Sequence, residues 1–215
     1  MTSGPRLEMN SGPNLGLGAE LELGLQQAST QAPPLTAQPA SQPVPQPDLW
    51  HLQAQTITSE NFAAYGWVAQ AEGQSGRPIN GGNSLRVDAV DSVGALVLTA
   101  EGGAPCLAVF RAQARNPCGP WSQLERHRLG TQTFVPLGGA RYLMLVALGD
   151  PAPRLNTLAA FRVAGHQAVT LRAGTWHHGL IAPEGGEFVV IERAAAAIDC
   201  DTVELSPAVR VAEAG

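Results

Sequence analysis

Short apolar runs separated by turn residues dominate the chain from about Leu49 onward. They are Ala95–Thr99, Leu107–Arg111, Thr133–Pro136, Tyr142–Ala147, Ala159–Val163 and Phe188–Arg193, each four to six residues long and rich in Val, Leu and Phe. Between them stand Gly102-Gly103, Gly138-Gly139, Gly149-Asp150-Pro151 and Pro183-Glu184-Gly185-Gly186. Runs of this length suit a strand and fall short of a helix, and Gly and Pro break the intervals. The pattern predicts an all-β sandwich or barrel with a few short helices. Thr58-Ser59-Glu60-Asn61-Phe62 reads as a capped helical turn with Thr58 or Ser59 as the cap. Gly73 to Gly82 reads as a glycine-rich loop that ends in Asn80-Gly81-Gly82.

The first 48 residues follow a different pattern. They hold no aromatic residue, and Ser29 to Asp48 is rich in Pro, Gln and Ala. Such a segment buries too little apolar area to offset its chain entropy, so residues 1–48 are expected to be a disordered extension. Residues 49–215 are expected to form the folded domain.

Composition narrows the classes of function. Hydrophobic residues make up 44% of the chain and charged residues 14%, which is enough apolar material for one sizeable core. The formal charge of -5 and the lack of a basic patch argue against nucleic acid and anionic membranes as partners. The chain has no lysine, and all 13 basic residues are arginine. Schiff-base chemistry on a lysine is therefore excluded. A bound carboxylate must be held by arginine, backbone amides or a metal. Cys106, Cys118 and Cys200 form no CxxC pair, and the start of the chain shows no basic stretch followed by an apolar run. The expectation is a cytoplasmic protein.

Two polar clusters carry the candidate chemistry. In the stretch Glu125-Arg126-His127-Arg128-Leu129-Gly130-Thr131-Gln132, strand alternation puts Glu125 and His127 on one face. A carboxylate and an imidazole on one face can serve as an acid/base pair or as two arms of a metal site. The same pattern also suits a solvated, charged strand edge. The second cluster is Gly174-Thr175-Trp176-His177-His178-Gly179, where adjacent histidines point to opposite faces.

Together the clusters fit cupin spacing. Glu125-x-His127-x4-Gln132-x6-Gly139 matches the first cupin motif, and Gly174-x2-His177 matches the core of the second. Glu125 stands in the first histidine place, Gln132 in the glutamate place and Arg172 in the proline place. Residues from about 54 to 205 resemble the bacterial ureidoglycolate lyase (ureidoglycolate hydrolase) family. The residues that carry the likeness are Ile79-Asn80-Gly81-Gly82, Arg86, Phe110-Arg111-Ala112-Gln113, the E-R-H-x-L-G-T-Q block from Glu125, Phe134-Val135-Pro136, Val146-Ala147-Leu148-Gly149-Asp150, Trp176-His177-His178 and Asp199-Cys200-Asp201.

The resemblance implies a cupin-like (RmlC-like) β-barrel, a role in allantoin breakdown within purine degradation, and a homodimer. Some members depend on nickel and others are metal-free. A divalent metal held by His127, Gln132 and His177 is therefore one expectation, and no cofactor at all is the other. The implied reaction splits ureidoglycolate into glyoxylate and urea. It needs a base for the hydroxyl proton, an acid for the leaving nitrogen and a cation for the carboxylate. His127 or His177 is the candidate base, and Glu125 or the remaining histidine the acid or orienting group. Arg86 or Arg111 would clamp the carboxylate, Asn80 and Gln132 would bond the ureido group, and Trp176 would close one wall. The rival readings are an amidohydrolase releasing ammonia from the same substrate, and a non-catalytic cupin binding a small organic acid.

Overall fold

The computed structural model describes residues 49–88 and 96–212. The proline- and glutamine-rich segment 1–48 lies outside the described residues. The strands are β1 (Trp50–Gln53), β2 (Gln55–Thr56), β3 (Gly66–Ala69), β4 (Arg77–Ile79), β5 (Ser84–Arg86), β6 (Ala104–Ala112) and β7 (Trp121–Arg126). They continue as β8 (Gln132–Pro136), β9 (Tyr142–Ala147), β10 (Ala159–Val163), β11 (Ala168–Leu171), β12 (Trp176–His177), β13 (Gly186–Ala194) and β14 (Asp201–Ala212). Among the described residues the one α-helix, α1 (Ser59–Phe62), starts at Thr58 in a capping box. The Thr58 hydroxyl accepts from the Asn61 amide, and the Asn61 side chain accepts from the Thr58 amide.

Two sheets curl into a nearly closed, cupin-like barrel. One has seven strands in the order β1-β14-β7-β12-β9-β10-β2, and the other has five in the order β3-β11-β8-β13-β6. The expected all-β cupin-like fold is therefore present. β9 and β10 run over the expected residues, and β6, β8 and β13 contain the expected runs. The run at Ala95–Thr99 is different. Residues 96–99 form no strand, because Val97 is tied to Thr131 rather than to a ladder: its amide donates to the Thr131 hydroxyl and its carbonyl accepts from the Thr131 amide. The expected loop from Gly73 to Gly82 contains β4, which pairs with β5 as a separate two-stranded hairpin.

Alternation in the strands sorts two cores. Inside the barrel, Phe134, Tyr142, Met144, Val146, Phe161, Val169, Leu171, Phe188 and Val190 pack together. The opposite face of the seven-stranded sheet packs Trp121, Leu124, Leu143, Leu145, Trp176 and Val209. Every residue of β9 is buried, since each faces one core or the other. No helix among the described residues is long and apolar enough to cross a membrane.

Phe188 is fully buried and meets the Tyr142 ring edge-on, with centroids 5.2 Å apart. Phe188→Ala is expected to destabilise the domain by about 3–5 kcal/mol, read by denaturant titration. A loss below about 1 kcal/mol would show that the barrel interior collapses to fill the space.

Candidate active site

The site depends on a strand of two residues. β12 lies between β7 and β9, with His177 paired to Glu125 on one side and to Val146 on the other. Residues directly opposite in adjacent strands share a face. His177 and Glu125 therefore project into the barrel on the side of Val146, while Trp176 projects into the second core. The turn before β12 needs a left-handed residue. Gly174 supplies it at φ 83°, and its amide donates to the His127 carbonyl. That bond ties the His127 segment to the turn that launches His177.

The structure thus brings Glu125, His127 and His177 together. A donor atom from each lies within 4.8 Å of the other two. The His127 and His177 ring centroids are 5.7 Å apart. Backbone carbonyls set the tautomers. His127 Nδ1 bonds to the Asp199 carbonyl, and His177 Nδ1 lies 3.1 Å from the Thr175 carbonyl. A carbonyl oxygen only accepts, so both Nδ1 atoms carry the proton and the neutral rings keep Nε2 as a lone pair. His177 is 1% exposed, and its Nε2 is buried without a hydrogen-bond partner.

That bare nitrogen is 3.5 Å from Glu125 Oε1. The Glu125 carboxyl is held below the usual glutamate range. Hydrogen bonding by His177 is the leading cause, the charges of His177, His127 and His178 add to it, and burial opposes it. At 3.5 Å the bond is at its long limit, and it forms only when His177 Nε2 carries a proton; with the neutral ring the two groups are in electrostatic near-contact. Glu125 is therefore a carboxylate at neutral pH. Its Oε2 faces the Cys200 thiol at 3.8 Å. Burial first, and then the Glu125 charge, push that thiol up, so Cys200 is a poor nucleophile.

Other residues hold this arrangement. The Asp199 carboxylate accepts from the Arg128 and Leu129 amides at 2.9 and 2.8 Å, while its carbonyl takes His127. Arg126, 5% exposed, bonds to Asp150, Asp201 and the Gly149 carbonyl and lies over the Trp176 ring at 4.5 Å. The Trp176 indole also donates to Gly149. His178 packs against Trp121 with the rings tilted by 59° and centroids 4.6 Å apart, and burial is the main reason its pKa is lowered.

The remaining expected residues are placed as follows. Gln132 opens β8 inside the barrel, 5% exposed, and donates to Glu192 at 2.8 Å. Among the described residues Glu125 groups with the two histidines as a possible ligand set. Asn80 sits at φ 52° in an exposed turn of the β4–β5 hairpin. Arg86 pairs with Asp88, both exposed, and the exposed Arg111 pairs with the half-buried Glu187. Among the described residues no hydrogen bond or ion pair joins Asn80, Arg86 or Arg111 to the cluster. Glu192 and Asp199 were not anticipated. Glu192 has a readable signal, because Phe188-x-Val190-x-Glu192 puts a carboxylate in line with two core residues. The Asp199 carbonyl has none.

Comparison with known proteins points to one family. Residues 50–212 match the family model described as ureidoglycolate lyase. The chain is 36% identical over 157 residues to a ureidoglycolate lyase of Burkholderia cepacia, covering 72% of this chain and 86% of that protein. It is 35% identical over 152 residues to the ureidoglycolate lyase of Pseudomonas putida strain F1, covering 70% of this chain and 89% of that protein. It is 37% identical over 143 residues to that of Escherichia coli strain K12 / DH10B, covering 66% and 87%.

The lowered Glu125 pKa has a stability consequence. A carboxyl depressed in the folded state adds stability that is present above its unfolded pKa, near 4.3, and lost as pH falls through the folded value. The unfolding midpoint should therefore drop in acid, and Glu125→Gln should flatten that drop when melts are compared between about pH 3 and pH 7. Parallel pH profiles for the two proteins would contradict the pairing.

Proposed function

We propose, from the premise that this chain belongs to the ureidoglycolate lyase family, that its barrel mouth cleaves ureidoglycolate into glyoxylate and urea with His177 as the base. The observation that carries the reading is the bare, buried Nε2 of His177 beside the ionised Glu125. The reacting carbon of ureidoglycolate carries a hydroxyl, a carboxylate and a urea nitrogen. His177 Nε2 takes the hydroxyl proton, the oxygen's electron pair forms the carbonyl, and the C–N bond breaks. The departing nitrogen takes that proton back from the imidazolium, so urea and glyoxylate leave and the protein is unchanged. Glu125, held as a carboxylate, orients His177 and stabilises the imidazolium rather than donating a proton. His127, held by the Asp199 carbonyl, supports the same proton transfer from beside His177.

The substrate's two ends need partners. Gln132 is the partner for the ureido group inside the barrel, and Asn80 offers a second amide from the hairpin turn. Arg86 or Arg111 is the cation for the carboxylate. Each is held by one carboxylate, and exposed ion pairs are weak enough for an incoming carboxylate to displace. Trp176 acts from the opposite face of β12 by fixing the strand. Two imidazoles, one of them with an orphaned buried Nε2, and a carboxylate also fit a divalent cation. Glu125, His127 and His177 would hold it, and it would supply Lewis-acid polarisation of the substrate's oxygens.

Two further readings concern the setting. All three cysteines are free, which supports the reducing cytoplasm. β6 is the outer strand of the five-stranded sheet and exposes Leu107, Val109 and Phe110 at 71%, 58% and 38%. A nine-residue apolar edge invites pairing, and we assign it to the homodimer interface. Val109→Glu should convert the dimer to a monomer in sedimentation analysis. A wild-type monomer at micromolar concentration would refute this assignment.

The reaction is tested by incubating the protein with ureidoglycolate and following urea, ammonia and glyoxylate. Urea and glyoxylate should appear in equal amounts, and His177→Ala should lower kcat by about 10²–10⁴. Ammonia in place of urea would identify an amidohydrolase, and binding without turnover a non-catalytic cupin.

A further inference from the structure

Glu192 is the second carboxylate inside the barrel, and the chemistry above does not use it. The register between β13 and β8 pairs Val190 with Phe134 and Ile191 with Thr133. The next pair in that register is Glu192 with Gln132, on the interior face already occupied by Phe134 and Val190. Gln132 also lies opposite Leu171 of β11, another interior residue. Its backbone is five residues from His127, and the short link 127–131 joins the end of β7 to the start of β8. Gln132, Glu125 and His127 therefore belong to the same end of the barrel.

The Gln132 amide has one end satisfied and one end bare. Its Nε2 donates to Glu192 Oε2 at 2.8 Å, and its Oε1 is buried with no hydrogen-bond partner. A carboxylate accepts and does not donate, so Glu192 permits only one orientation of the amide. The NH2 group must face Glu192, and the carbonyl oxygen must face away from it. A buried acceptor without a partner is unfavourable unless a ligand supplies an N–H or O–H.

We propose that Glu192 is a positioning residue that locks the Gln132 amide so that Oε1 receives an N–H of the substrate's terminal ureido NH2 group, making the site selective for a primary ureido acid. This rests on Gln132 being the ureido partner in the lyase reading. Removing the Glu192 acceptor frees the amide to rotate and present its NH2 group, which cannot accept from a ureido N–H.

The test is calorimetric and uses ureidoacetate, a ureido acid that lacks the reacting hydroxyl, beside its terminal N,N-dimethyl derivative, which has no terminal N–H. Wild type should prefer ureidoacetate. Glu192→Met keeps the side chain's size but not its acceptor, and should weaken ureidoacetate about tenfold while leaving the dimethyl derivative unchanged. Glu192→Gln retains a carbonyl acceptor and should restore most of the preference. Gln132→Met, which lacks the amide, should lose the preference in the same way, so the test stands even where Glu192→Met does not fold. Equal weakening of both ligands by either Met variant, unchanged ureidoacetate binding in Glu192→Met, or a wild type that binds neither ligand would overturn the proposal. Wild-type turnover of ureidoglycolate to urea is scored separately. Its absence removes the lyase reading, while turnover combined with any of those binding results removes this proposal alone.

Discussion

The register of β12 is the constraint on which everything at the barrel mouth depends. Only Trp176 and His177 form the strand, and its two ladders are a few bonds long. A slip of one residue would turn His177 away and bring Trp176 or His178 to face Glu125. Hydrogen bonds just outside the strand guard against that slip. Gly174 donates to the His127 carbonyl before it, and His178 donates to the Leu145 carbonyl after it. On the outer face, the Trp176 indole and the Arg126 guanidinium both bond to the Gly149 carbonyl, and the guanidinium lies over the indole. Proton transfer on one side of β12 thus relies on packing and charge on the other.

The polar groups of the mouth divide into those that are fixed and those left open. Two backbone carbonyls hold the Nδ1 atoms of His127 and His177, so the unused nitrogens are both Nε2. Asp199 makes the arrangement around His127 stiff, since one residue bonds to the imidazole through its carbonyl and to the next two backbone amides through its carboxylate. Glu125 stays ionised because imidazoles surround it. Among the described residues three buried polar atoms, His177 Nε2, Gln132 Oε1 and the Tyr142 hydroxyl, are left without partners. Unpartnered buried polar atoms are uncommon in folded proteins, and the first two, at the end of the barrel that holds Glu125 and His127, are what a polar ligand would satisfy.

Some of this was legible in the amino-acid sequence, and the parts that were not share physical causes. β9 announced itself because a continuous apolar run bounded by Gly and Asp is what a doubly covered strand requires, and β10 did so as a short run broken only by Arg162. β14, twelve residues long, was missed because its apolar positions are interrupted by Ser206-Pro207, where its pairing with β7 shifts register. The Ala95–Thr99 run carried strand composition, but its backbone bonds go to Thr131 instead. Glu125 and His127 sharing a face followed from alternation alone. That His177 would join them required the barrel to close. Arg126 looked like part of a charged surface, yet it is buried through Asp150, Asp201 and Trp176, partners far away in the chain. The carbonyls of Asp199 and Thr175 that set the histidine tautomers belong to the backbone, which every residue has, and leave no mark in composition.

The central claim is that Glu125 and His177 act as one unit, and a double-mutant cycle on kcat for ureidoglycolate cleavage tests it most directly. Groups that work together lose most of their effect when either is removed. Glu125→Gln combined with His177→Ala should therefore be no slower than the slower single variant. Losses that multiply, so that the double variant is slower by the product of the two, would show that the residues act independently and that their proximity is incidental.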